Sequence, residues 1–222
     1  VKKTEPGKAG AARRILIVAS GQLPDEGLLK GLASQSDLVV AADGGLRHLA
    51  RAGLTPHVLI GDLDSLDGPP PAGVAVFQSP REKDATDLEL ALDHAAALAP
   101  EEIHLCAALG GRLDHALATV QLLARFDLPI VLHHPPETLY LVARRQRVPA
   151  GVGDRVSLLP LTDEARGITT HGLRYALAGA TLARASTRGV SNEVVSVPCW
   201  VELTAGKLLL VHGPMAYSRR LA

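Results

Sequence analysis

The stretch VLIGDLDSLDG, residues 58–68, joins two things that rarely meet. An apolar run with the pattern of a buried strand reaches Gly61, and Asp62, Asp64 and Asp67 then crowd negative charge at its tip. A short apolar run bounded by turn residues suits a strand covered on both faces, as in a parallel sheet. Upstream, RILIVAS (14–20) reads as a strand, DEGLLKGLAS (25–34) as a helix and DLVVAAD (37–43) as a second strand. Gly44 and Gly45 open a further helix through LRHLARAG, closed by Gly53, where a glycine suits the end of a helix.

Downstream, VAVFQS (74–79) reads as a strand, and TDLELALDHAAALAP (86–100) as the best-defined helix. Leu88, Ala91, Leu92, Ala95 and Leu98 share one face at helical spacing, Thr86 and Glu89 form a capping box, and Pro100 marks the end. EIHLCAAL (102–109) is a strand, GGRLDHALATVQLLARF (110–126) a glycine turn and helix, and PIVLHH (129–134) a strand. Strands alternating with helices at these lengths imply parallel pairing through crossover helices. After HHPPE the rhythm changes: TLYLVA, RVSLLPL, GITTHGL, ATLARAS, VVSVPC and KLLLVHG are short β-like runs separated by turns. They predict an antiparallel sandwich or barrel, with a domain boundary near Pro136.

Composition narrows the classes. Hydrophobic residues make up 47% of the 222 and aromatics only 3%, so the core is aliphatic. Basic and acidic residues balance at 23 each, which argues against a global footprint for nucleic acid or an anionic membrane. No apolar run approaches the ~20 residues of a membrane span, and the polar opening, read as a frayed tail, lacks the apolar block of a signal peptide. Cys106 and Cys199 are far apart, which fits a reduced, cytoplasmic protein. His104 and Cys106 alternate along one strand and read as ordinary strand residues rather than half a zinc site.

The acids gather at strand ends. Asp43 follows VVAA, Asp62 and Asp64 follow VLIG, Asp84 and Asp87 open a helix, and Arg112 and Asp114 follow another strand. Ligands of open α/β sheets bind outside the carboxyl ends of the strands, so four loops deliver charge to one rim. Each piece has a structural explanation, as turn, cap or dipole partner. Capping needs one acid per helix, however, and not pairs on several loops. Such a cluster calls for a positive partner, and hard oxygen ligands at this density suit Mg²⁺ shared with substrate phosphates. Walker, dinucleotide-fingerprint and protein-kinase motifs are absent. A nucleotide would therefore be held through metal-bridged carboxylates and cations such as Arg112 and Lys83.

ADGG, IGDLDS, EKDATDLELAL and GGRLDHALA, in this order and spacing, closely resemble the bacterial type of thiamine pyrophosphokinase, and GLRYAL with STRGVSNE resembles that family's C-terminal pattern. The resemblance covers residues 15–215. It implies an α/β, Rossmann-like catalytic domain (1–136) and a C-terminal antiparallel β-sandwich that binds thiamine (137–222). It also implies a homodimer with the thiamine site between subunits, partnering neither nucleic acid nor membrane. The activity implied is diphosphoryl transfer from ATP to thiamine with Mg²⁺, giving thiamine diphosphate and AMP. By position, Asp43, Asp62, Asp64, Asp87 and Asp114 would form the acidic site, the first four as metal ligands. Lys83, Asp84, Thr86, Arg112, His115 and Ser65 would surround the nucleotide and the reacting group, and Asp87, Ser191 and Asn192 would meet thiamine. Thr119 and Val190 stand where the family often has Asn and Thr, neither of them a charge the chemistry needs. Two rivals remain at this point: a Mg²⁺-dependent phosphohydrolase, since DLDSLDG faintly resembles the D-x-D of haloacid-dehalogenase-type phosphatases, and a non-catalytic thiamine or nucleotide sensor.

Overall fold

A computed structural model describes residues 13–23, 25–64, 68–80 and 82–215. The elements run β1 Arg14–Val18, α1 Glu26–Ser34, β2 Leu38–Ala42, α2 Gly45–Arg51, β3 Val58–Gly61, β4 Ala75–Gln78, α3 Asp87–Ala97 and β5 Glu102–Cys106. Then follow α4 Leu113–Leu122 (tightening into a 3₁₀ turn, Leu123–Arg125), β6 Ile130–His134, β7 Glu137–Val142, β8 Arg145–Val148, β9 Arg155–Pro160 and β10 Glu164–His171. The chain closes with β11 Ala180–Ala183, β12 Asn192–Glu193, β13 Cys199–Glu202 and β14 Leu208–Gly213. Two compact units result, one from residues up to 20 with 26–104, the other from 21–25 with 105 onward. Among the described residues, no helix is long and apolar enough to cross a membrane.

In the first unit β1, β2, β3 and β4 lie side by side in that order, all parallel. Ile15, Leu16, Ile17, Val40 and Leu59 are fully or almost fully buried, as strands covered on both faces demand. Helix α3 presses Ala91, Leu92 and Ala95 inward. Leu98, expected on that face, is exposed instead, because the helix stops at Ala97 and Leu98 is its C-cap. Helix α2 ends as expected, with Gly53 at φ +70 just beyond the C-cap Ala52.

The second unit carries antiparallel sheets. One runs β6–β7–β14–β9–β12, the other β11–β10–β13–β8. Tyr140, Val156, Leu158, Ile168, Val201 and Leu210 belong to its hydrophobic core. Two details depart from the sequence reading. RQRV forms β8, whose arginines alternate outward while Val148 is buried, a pattern masked by charge. Of VVSVPC only Cys199 lies in a strand; Val195 and Val197 are exposed, and the Val195 and Ser196 amides both donate to the Gly172 carbonyl. Val194 and Cys199 reach the core, and the stretch between them is a loop. Strand β6 pairs antiparallel with β7 across Pro135 and Pro136.

Candidate active site

Three carboxylates converge at the ends of β2 and β3. One oxygen each from Asp43, Asp62 and Asp64 lies within 4.8 Å of the others. The backbone is bent to this purpose. Asp43 has φ +41 and Leu63, between the other two acids, φ +67, a region that non-glycine residues occupy at a cost of order 1 kcal/mol. The Asp43 amide donates to the Ile60 carbonyl at 2.8 Å, tying the end of β2 to β3. The Asp64 amide donates to Asp62 Oδ1 at 3.1 Å, closing the loop on itself.

Glycine permits the close approach. A Cβ on Gly61 would lie 3.0 Å from the Asp43 Cβ, and one on Gly45 only 1.9 Å from the Val18 carbonyl oxygen. Gly45 thus lets the first turn of α2 pack on the end of β1, and Gly61 lets the end of β3 approach Asp43. Three carboxylates this close repel unless a cation shares them. The donor set is all oxygen, with Asp43 and Asp62 half-buried and Asp64 exposed, which fits a hard ion such as Mg²⁺ that keeps water and phosphate ligands. Ser65 and Asp67 lie outside the described residues.

The next acidic loop is organised by a lysine. Lys83 Nζ donates to Asp87 Oδ1 at 2.6 Å and to Ser79 Oγ at 2.8 Å, and both members of the ion pair are largely buried. Thr86 caps α3, accepting from the Glu89 amide at 3.2 Å, so its hydroxyl serves the helix. Asp84 is exposed beside it. Among the metal candidates of the sequence, Asp43, Asp62 and Asp64 come together, whereas Asp87 is not in that group and stands against Lys83. Ser79 was passed over; its only sequence signal is a hydroxyl four residues before Lys83.

In the second unit Gly110 and Gly111 both adopt positive φ, +83 and +78, which makes the turn before α4 possible. Arg112 stands at the N-cap and grips Asp114 through two hydrogen bonds, 3.1 and 2.6 Å. Asp114 also accepts from the His115 amide at 2.9 Å. The Arg112 fork and that amide hold the Asp114 carboxyl down at about 2. Ser191 sits in the left-handed region, φ +60, and its amide donates to Ser157 Oγ. Asn192 is buried, and its amide group serves the backbone: Oδ1 accepts from the Tyr175 and Glu193 amides and Nδ2 donates to the Tyr175 carbonyl.

The class of protein is thereby defined: a parallel α/β unit with an acidic cation-type cluster at its strand ends, in a chain that finishes as an antiparallel sandwich. Two family models match, "Thiamin pyrophosphokinase, catalytic domain" over residues 29–132 and "Thiamin pyrophosphokinase, vitamin B1 binding domain" over residues 144–208. The thiamine pyrophosphokinase of Bacillus subtilis (strain 168) is 29% identical over 222 residues, spanning 90% of this chain and 98% of that protein. A crystal structure of the Bacillus subtilis protein superposes with a TM-score of 0.76 at 27% identity, covering 90% of this chain and 99% of that one. That of Geobacillus thermodenitrificans gives 0.74 at 29%, covering 90% and 97%. The chain belongs to the thiamin pyrophosphokinase family.

Proposed function

We infer that this chain transfers a diphosphoryl group from ATP to the hydroxyethyl oxygen of thiamine, giving thiamine diphosphate and AMP. The observation that carries the reading is the convergence of Asp43, Asp62 and Asp64 in a chain of this family. Neither the phosphohydrolase nor the binding-only alternative is favoured by that assignment.

We assign the metal to those three carboxylates. Mg²⁺ held there would neutralise phosphate oxygens and orient the polyphosphate for in-line attack. Lys83 would serve as a half-buried point charge for phosphate, with Asp84 and His115 supporting the nucleotide and Thr86 holding the start of α3 beside it. Arg112 balances charge that builds on bridging oxygens.

Two acids compete for the thiamine hydroxyl. Asp114 is bonded to Arg112 and Asp87 to Lys83, so each carboxylate would orient the hydroxyl beside a cation. Ser191 is assigned to the thiamine pocket, and Asn192 holds the turn that presents it.

The resemblance supports a homodimer with thiamine bound between subunits, in the cytoplasm where ATP is available. The activity is tested by product analysis with ATP, thiamine and Mg²⁺, each omitted in turn. Thiamine diphosphate and AMP in equal amounts, only with all three, support the reading. ADP or free phosphate without need of thiamine would return the phosphohydrolase.

A further inference from the structure

We propose that Ser79 is a positioning residue for diphosphoryl transfer, aiming Lys83 at the polyphosphate; the inference rests on the role assigned to Lys83 above. Ser79 follows β4 directly, and its amide donates to the Gly61 carbonyl at 2.9 Å, one residue before Asp62. Its hydroxyl accepts from Lys83 Nζ at 2.8 Å, and the same ammonium donates to Asp87 Oδ1 at 2.6 Å. One small side chain thus couples the strand end carrying the acidic cluster to the first turn of α3.

The geometry explains why a hydroxyl matters there. An ammonium has three N–H donors at tetrahedral angles. With two directed at Ser79 and Asp87, the direction of the third is determined. Remove the hydroxyl, and Lys83 keeps one anchor about which the remaining two donors rotate. The charge stays; its aim is lost. The fold should not suffer, because every residue of β4 is exposed and Ser79 itself is only half-buried.

The test is steady-state kinetics with varied ATP on Ser79→Ala, Ser79→Thr, Lys83→Met and the Ser79→Ala/Lys83→Met double variant. Ser79→Ala is expected to lower kcat/KM for ATP about ten-fold, as loss of a supporting partner does, with thiamine KM and melting temperature unchanged. Ser79→Thr, which keeps the hydroxyl, restores the rate. Lys83→Met is slower still, and adding Ser79→Ala to it changes nothing further, because the serine acts only through the lysine.

A wild-type rate in Ser79→Ala beside an impaired Lys83→Met overturns the inference and leaves the role of Lys83 standing. A wild-type rate in Lys83→Met removes that role and the inference with it. Losses that add in the double variant, or that track a lower melting temperature, make Ser79 merely structural and overturn the proposal.

Discussion

At the scale of single residues, the site depends on positions whose chemistry is plain but whose geometry is not. Asp43, Asp62 and Asp64 are legible in the sequence as acids at strand ends. Their convergence is not, because it depends on left-handed backbone at Asp43 and Leu63, residue types that give no hint of it. Gly61 is the silent partner. Gly61→Ala would press a methyl onto Asp43 at 3.0 Å and displace that carboxylate. We expect kcat to fall by about ten-fold or more, as for other misplacements of supporting groups, with near-native circular dichroism. Asn192 makes the opposite point. Read from sequence as a thiamine contact, it is bonded to the backbone at Tyr175 and Glu193. Asn192→Ala should lower stability by about 1 kcal/mol in urea unfolding, because part-buried backbone groups at Tyr175 and Glu193 lose their partners.

At the scale of elements, the parallel strands and their helices were legible because apolar runs and helical spacing reflect burial directly. Helix α2 shows what pattern alone conceals. Its first residue, Gly45, packs so tightly on β1 that a Cβ would sit 1.9 Å from the Val18 carbonyl oxygen. Gly45→Ala should therefore destabilise by about 3 kcal/mol, from overpacking rather than helix propensity, measured by chemical denaturation. Strand β8 is hard to read because its outward arginines resemble a loop, and VVSV misleads because only Val194 is buried while Val195 and Val197 face solvent.

A clasp joins the start of β9 to the end of β14. Asp154 accepts from the Gly151 and Met215 amides and pairs with His212 Nε2 at 2.9 Å. Burial pushes its carboxyl upward, but the His212 bond and the two amides outweigh it, and the group is held below its ordinary value. A depressed carboxyl stabilises the fold above its unfolded value of about 3.9 and loses that contribution as pH falls through the folded value. Asp154→Asn should be less stable than the parent at pH 7 by about 1–3 kcal/mol, with the gap closing below that unfolded value. Parallel melting curves across pH 7 to 3 check this.

At the scale of the whole molecule, composition and the change of rhythm after HHPPE announced an α/β part followed by a β-rich part, and the chain has both. What the rhythm could not reveal is which way the chain leaves β6: PIVLHH has the same apolar run whether a crossover or a hairpin follows, and β6 pairs antiparallel with β7. The choice is made by the short turn at Pro135 and Pro136, which allows a hairpin and excludes a crossover. The family resemblance carried the reading of function further than any one motif, since each acid also has a structural explanation.

The Asp43, Asp62 and Asp64 cluster is expected to carry a cation essential to diphosphoryl transfer. The most direct measurement is the Mg²⁺ dependence of thiamine diphosphate formation in the parent and in Asp64→Asn, with circular dichroism on both. We predict the same fold, a requirement for Mg²⁺ in the parent and a loss of at least about 100-fold in the variant, the scale of removing a charge-stabilising group from an active site. Near-parental turnover in Asp64→Asn with an unchanged Mg²⁺ requirement would contradict the account and move the cation elsewhere.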